Sequence, residues 1–374
     1  MIRHLYVHVP FCLRRCSYCD FAVQAVAHAP VADWVRTINT EFDLFAQEQK
    51  WSQRPELRTL YIGGGTPSLI GGAGMARFAD ELRTRISLAA DAEWTVEANP
   101  ETFTTDVAIE WARAGVNRIS LGAQTFNEEV LRWMGRMHGP DGPGRAVAAA
   151  RDAGITNFSI DLIFALPARF NRDWRRDLDA VLALDPAHVS LYGLTAEAGT
   201  PLGRWVAEGR EALASEDDYA EQYLLAARVL RDAGFVHYEV SNFAKPGFES
   251  RHNQAYWNGS AYLGLGPGAH SFLPPERRWN TRVWTEYRER IDGGQLATDG
   301  SEVVQAGTAG LEHAWLGLRT STGIAVASLS ESQAALAESW TRRGWGERES
   351  GTFRLTPEGW LLLDRLSVEM ESVR

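Results

Sequence analysis

Cysteine is scarce in this chain: three residues in 374, at positions 12, 16 and 19, and none elsewhere. An odd count cannot be consumed by disulfides, and thiols this close together would close only a tiny loop of little stabilising value. A disulfide framework is therefore excluded, and metal ligation is the better reading. Long apolar runs are also missing. Nothing approaches the roughly 18 to 20 consecutive apolar residues that span a bilayer, and residues 1–10 have neither the apolar core nor the cleavage site of an export signal. A cytoplasmic location is expected, with at most peripheral contact at a membrane surface. Positive charge is in deficit: 38 Lys plus Arg stand against 48 Asp plus Glu, for a net charge of -10. That balance argues against a sequence-independent nucleic-acid binder held through phosphates, so no nucleic-acid partner is expected. What remains, 45% hydrophobic and 23% charged residues, is the balance of a globular chain that can bury a large core.

Apolar or β-branched runs at 5–10, 59–62, 94–98, 118–121, 159–164 and 189–192 read as strands. Between them, 34–45, 75–86, 107–114 and 146–153 carry helical periodicity, as does 220–230 further on. Alternation of this kind implies a parallel sheet covered by helices. A weak repeat supports it: Ala114-Gly115, Ala153-Gly154 and Ala233-Gly234 each close a helical stretch, with glycine where a left-handed stop belongs. The fold expected is α/β: a partial (β/α) TIM-like barrel of about six units over 1–270. Gly266-Pro267-Gly268, Pro274-Pro275 and Gly293-Gly294 then mark 271–300 as a linker. Helices at 306–318 and 328–342, a strand at 352–355 and a helix at 356–370 suggest a small winged-helix-like α+β domain over 301–374.

Three groups of residues carry chemistry. Cys12, Cys16 and Cys19 form a C-x3-C-x2-C array just after the first strand. A structural zinc normally closes four ligands, of which His4 or His8 could supply one; an iron–sulfur cluster on three thiolates would leave one iron open. The second group is Gly63-Gly64-Gly65-Thr66-Pro67-Ser68, where backbone without side chains can approach a ligand at a strand end. No Gly-Lys-Ser/Thr follows, so this is not a Walker loop. Glu97, Gln124 and Asp161 also sit where strands end, with Arg136 in a following loop; carboxylates there can hold an ammonium or a diol, and an arginine a carboxylate. The third group is Arg251-His252-Asn253-Gln254-Ala255-Tyr256-Trp257, followed by His270. On chemistry alone it reads either as a structural polar turn or as a histidine with aromatics that could pack on a porphyrin.

The string Tyr6-Val7-His8-Val9-Pro10-Phe11-Cys12, continued by Cys16, Tyr18, Cys19, Asp20 and Phe21, resembles the signature of the radical S-adenosylmethionine (SAM) enzymes. Within them the chain is similar, over nearly its whole length, to the oxygen-independent coproporphyrinogen III oxidase family and its heme-chaperone subgroup. The resemblance implies a [4Fe–4S] cluster on the three cysteines, with SAM completing the open iron and cleaved by one electron. It implies Tyr6, Tyr18, Gly64, Gly65, Thr66, Glu97, Gln124, Arg136 and Asp161 as SAM-site residues. The H-N-x-x-Y-W string implies heme binding by His252, Asn253, Tyr256 and Trp257, with His252 as iron ligand and His270 as a weaker candidate.

Two departures separate this chain from the oxidases. Their further cysteine, two residues after the third cluster cysteine, is replaced by Phe21, and their extension before the first strand is missing. Both point to heme trafficking, with heme-recipient proteins and an electron donor as partners, rather than to oxidative decarboxylation of coproporphyrinogen III. A third departure concerns the chaperones: where many carry a cysteine before the arginine of the H-N pair, this chain has Ser250. Thiolate ligation of heme at that point is thereby set aside. A zinc-bound regulatory module with a DNA-binding winged helix is the rival from another class, and the acidic balance counts against it.

Overall fold

The computed structural model describes residues 2–373. Strand β1 (His4–Val9) is almost wholly buried, as a central parallel strand must be. A two-residue parallel pairing of β2 (Phe11–Cys12) with β3 (Gln24–Ala25) then closes the cysteine segment into a loop. From there helix and strand alternate: α1 (Val31–Glu48), β4 (Glu56–Gly64), α2 (Gly71–Arg83), β5 (Ser87–Ala98), α3 (Thr105–Ala114), β6 (Arg118–Gln124), α4 (Glu128–Met134), α5 (Gly142–Asp152), β7 (Asn157–Phe164), α6 (Trp174–Ala183) and β8 (His188–Gly193). The six strands β1, β4, β5, β6, β7 and β8 lie in that order and all run parallel, which is the partial barrel expected. Gly115, Gly154 and Gly234 have φ of 100°, 82° and 87°, so the repeated Ala-Gly is a left-handed helix stop.

Beyond β8 come α7 (Pro201–Ala207), α8 (Glu216–Asp232) and the antiparallel edge pair β9 (Val236–Glu239) and β10 (Asn242–Ala244). Helix α9 (Arg251–Trp257) leads into β11 (Tyr262–Leu265), which pairs parallel with β1 on its free side. The stretch expected as a linker is not one. β12 (His270–Leu273), β13 (Glu276–Asn280) and β14 (Thr298–Val303) extend the same sheet antiparallel from β11, making twelve strands in all. Pro274-Pro275 is only the turn between β12 and β13, and α10 (Trp284–Asp292) buries Trp284, Tyr287 and Ile291. Glycine and proline mark hairpins as readily as boundaries, and the short alternating strands between them carry weak period-two signals.

The C-terminal unit comprises α11 (Ala306–Leu318), β15 (Ile324–Ala325), α12 (Glu331–Arg342), β16 (Gly346–Glu349), β17 (Thr352–Leu355), α13 (Pro357–Trp360) and α14 (Leu363–Ser372). Its strands form a separate sheet in the order β15-β17-β16, the wing of the α+β unit expected. Ser330 and Gln333 build a full capping box at the start of α12. The unit is anchored on the barrel: Trp360 Nε1 donates to Leu318 O at 2.9 Å, His237 packs edge-on to Trp360 at 4.3 Å, and Glu239 bridges Thr320.

Candidate functional site

The cysteine loop lies at the end of β1. Ser17 N–H donates to Met134 O at 3.2 Å and Val26 N–H to Cys12 O at 2.9 Å, which tie the loop to α4 and to the strand end. All three cysteines are free thiols, Cys12 buried and Cys16 and Cys19 half-buried. Burial pushes the Cys12 thiol up to about 11 and outweighs the hydrogen bond from Thr66 Oγ1; burial raises Cys19 as well. A cluster or another cation is what would favour their thiolates.

The three cysteines border a cavity of about 530 Å³ together with Tyr18, Gly64, Gly65, Thr66, Glu97, Gln124, Arg136 and Asp161. Every residue named from the cysteine motif and strand ends thus meets in one place, except Tyr6, which lines a neighbouring cavity instead. The reason is topological: in parallel strands all C-terminal ends face the same rim. The glycine-rich turn is glycine by necessity. A Cβ on Gly65 would stand 2.6 Å from Phe11 O and 3.0 Å from Cys12 Sγ, and one on Gly64, at φ 112°, would stand 2.4 Å from the His8 ring.

Hydrogen bonds hold the polar side chains of this cavity in place. Glu97 accepts from Gly64 N–H at 2.9 Å and from Tyr61 OH at 2.8 Å; burial nevertheless raises its carboxyl to about 7, with Asp161 adding to the shift. Asp161 accepts from Ser120 Oγ at 3.0 Å and from Ser159 Oγ at 3.1 Å, and burial raises it too. Arg136 donates to Gly122 O at 2.7 Å and Asn99 Oδ1 at 2.9 Å. Burial opposes its charge, but Tyr18, Glu101 and Cys16 outweigh that and leave its pKa raised. Its Nε is buried with no partner among the described residues. Asn99, Ser120 and Tyr192 also line the cavity and were not singled out from the sequence; Asn99, two residues past Glu97, carried the same strand-end signal.

A second, larger cavity of about 780 Å³ adjoins the first, and Asp20, Phe21, Gly64 and Glu97 border both. Its other walls include Tyr6, Tyr256, Trp257, Tyr262, Phe272, His270 and His313. Of the H-N-x-x-Y-W residues, Tyr256 and Trp257 border this cavity, and His252 and Asn253 do not. His252 is 1% exposed. Its Nδ1 is hydrogen-bonded to Thr59 Oγ1 at 2.7 Å and its Nε2 to Tyr256 OH at 2.8 Å, and burial lowers its pKa to about 3. Both ring nitrogens are thus engaged within the fold, in a polar turn with neighbouring aromatics. Ser250 caps α9 by accepting Asn253 N–H, and Glu93 of β5 accepts from Arg251 and His252 N–H, both at 3.1 Å. Sequence could not show Glu93 in that role, because a strand residue far away in the chain supplies the helix cap.

Residues 6–181 match the Radical SAM superfamily model. Together with the cysteine loop and glycine turn at the rim of a parallel partial barrel, this defines a radical SAM protein, a class that implies a [4Fe–4S] cluster and SAM. The chain is 38% identical over 96% of its length to heme chaperone HemW of Mycobacterium tuberculosis (strain ATCC 25618 / H37Rv), of which it covers 92%. It is 40% identical over 71% of its length to heme chaperone HemW of Escherichia coli (strain K12), of which it covers 69%. The chain belongs to the HemW family. The solved structure of coproporphyrinogen III oxidase (HemN) from Escherichia coli aligns with a TM-score of 0.83 over 98% of this chain and 89% of that one, at 21% identity. That likeness establishes a common fold. No described helix is long and apolar enough to cross a membrane.

Proposed function

We propose that this protein is a heme chaperone: Cys12, Cys16 and Cys19 hold a [4Fe–4S] cluster, the smaller cavity takes SAM, and the larger one carries heme for delivery to recipient proteins. The observation that carries the reading is the pair of adjoining cavities. One gathers the three cysteines and the SAM-site residues, and the other is lined by aromatic side chains. At about 780 Å³ the second lies in the range of roughly 300 to 1,000 Å³ typical of ligand sites.

An unpaired polar atom supports the SAM assignment. The Arg136 Nε, buried without a partner among the described residues, suits the carboxylate of SAM, and the Trp257 ring borders the larger cavity. A structural zinc closes four ligands, whereas three thiolates on a cluster leave one iron open. When bound, the cluster and SAM supply one-electron chemistry; an electron donor is then a required partner. The chain's own contribution is positional. Arg136, fixed by Asn99 and Gly122, aims a donor at the ligand; Glu97 and Asp161 offer acceptors already bonded to Gly64, Tyr61, Ser120 and Ser159. Phe21, 60% exposed, stands between the cavities where the oxidases place a cysteine.

Anaerobic reconstitution tests the reading. The expected product contains four irons and four sulfides per chain, shifts the Soret band of added heme, and yields no divinyl porphyrin from coproporphyrinogen III and SAM. One zinc without sulfide, or the appearance of protoporphyrinogen IX, would overturn it.

A further inference from the structure

An asparagine side chain carries one carbonyl and one amide nitrogen, and a neighbour that can only donate decides which way they face. Asn99, in the turn after β5, has such a neighbour. Arg136 Nη2 donates to its Oδ1 at 2.9 Å, and a guanidinium has no acceptor, so the Asn99 amide nitrogen points the other way. That nitrogen gives its two hydrogens to Thr66 Oγ1 at 3.2 Å and Glu101 Oε1 at 3.3 Å. The backbone holds the residue in place. Asn99 N–H donates to Ser68 Oγ at 3.2 Å, and Asn99 O accepts from Thr102 and Phe103 N–H, both at 3.1 Å.

The last link then has a fixed direction. Thr66, 3% exposed, has a single hydroxyl proton. With Asn99 donating to the hydroxyl oxygen, that proton goes to Cys12 Sγ, 3.5 Å away. Three hydrogen bonds in series thus run from Arg136 through Asn99 and Thr66 to Cys12, each donor polarised by the one before it. An electron added to an iron–sulfur cluster increases the negative charge on its sulfurs, so a donor aimed at one of them favours the reduced state and raises the reduction potential. At its other end the same side chain keeps Arg136 Nη2 in place, which also donates to Gly122 O at 2.7 Å.

We infer that Asn99 is the positioning residue that joins the two halves of this site: it turns the Thr66 hydroxyl onto Cys12, raising the potential of the cluster, and it holds the arginine that receives the SAM carboxylate. The inference rests on the cluster and SAM assignments proposed above. Arg136 also lies against Cys16, which gives it a route to the cluster that bypasses Thr66, and the test separates the two routes.

That test is a potentiometric titration of the anaerobically reconstituted full-length protein without SAM, followed by electron paramagnetic resonance, on samples matched for iron and sulfide. Asn99→Ala and Thr66→Val are each expected to lower the midpoint potential, and Thr66→Ser, which keeps the hydroxyl, to stay near wild type. The double variant should fall no lower than Thr66→Val alone, because Asn99 acts through Thr66. Asn99→Ala should also bind SAM about tenfold more weakly in calorimetric titration, the worth of a lost bond to a charged group. Asn99→Leu, which fills the volume that alanine leaves empty, goes through the same series. An unchanged potential in either asparagine variant, or a double variant whose shift is the sum of the single ones, overturns the inference and leaves the cluster and SAM assignments intact. Thr66→Val at the wild-type potential does the same, whatever the asparagine variants load. Failure of wild type to assemble a cluster overturns those assignments and this inference together.

Discussion

Replacing His252 by alanine should damage the fold rather than the cargo site. The substitution removes a hydrogen bond of 2.7 Å to Thr59 and one of 2.8 Å to Tyr256. Thr59 keeps a second partner in His4, at 2.9 Å, so that loss costs about 1 kcal/mol. Tyr256, half-buried, is left with an unpaired hydroxyl, which costs up to about 1 to 3 kcal/mol. The ring also gives up an aromatic contact with Tyr61 at 5.2 Å and leaves a small cavity, for about another 1 kcal/mol. The sum, about 3 to 5 kcal/mol, is a large share of the roughly 5 to 15 kcal/mol that a domain has to lose. Urea unfolding followed by circular dichroism measures it.

The same histidine fixes the pH dependence. Burial lowers its folded pKa to about 3, below the ordinary imidazole value of 6.5, so the native state excludes a proton that the unfolded chain accepts. Its contribution is therefore present above pH 6.5 and is lost as pH falls toward 3. The destabilisation caused by His252→Ala should accordingly be greatest near pH 7 and shrink on acidification. A variant with wild-type stability but no heme spectrum would refute this reasoning, as would a penalty constant with pH.

Arg136→Ala should weaken SAM binding about 10- to 100-fold, the worth of a lost charge-assisted pair, in calorimetric titration of the reconstituted protein; an unchanged affinity would remove Arg136 from the SAM site. Gly65→Ala forces a Cβ to within 2.6 Å of Phe11 O and 3.0 Å of Cys12 Sγ, so reconstituted protein should show markedly less iron and sulfide than wild type. Because Glu97 titrates at about 7, its carboxylate is present above that pH and neutral below it, and SAM affinity should rise as pH climbs through 7. Glu97→Gln should flatten that rise, and a profile indistinguishable from wild type would show that Glu97 does not face the cationic ligand.

The barrel strands were legible because buried parallel strands are continuous apolar runs, and the Ala-Gly stops gave the helix ends. The SAM-site residues were legible because parallel topology carries every strand end to one rim, so positions far apart in sequence needed only the same place in their unit. Sheet extension through β12–β14 was hidden: half-exposed antiparallel strands such as Glu276–Asn280 have mixed polarity, and their prolines and glycines read equally as a boundary. The surroundings of His252 were hidden for a different reason. A motif gives residue type and spacing but says nothing of whether a ring nitrogen is already taken, and Thr59, which takes one, lies 193 residues away in the chain.

Gly64 and Glu97 border both chambers, and the Glu97 carboxylate is fastened to the Gly64 amide. A shared border makes neighbours of whatever fills the two: a group pressing on it from one side would shift the position or protonation of what the other side meets. Thermodynamic reciprocity then sets the terms, for whatever factor the nucleotide imposes on the grip of the porphyrin, the porphyrin returns to the nucleotide in full.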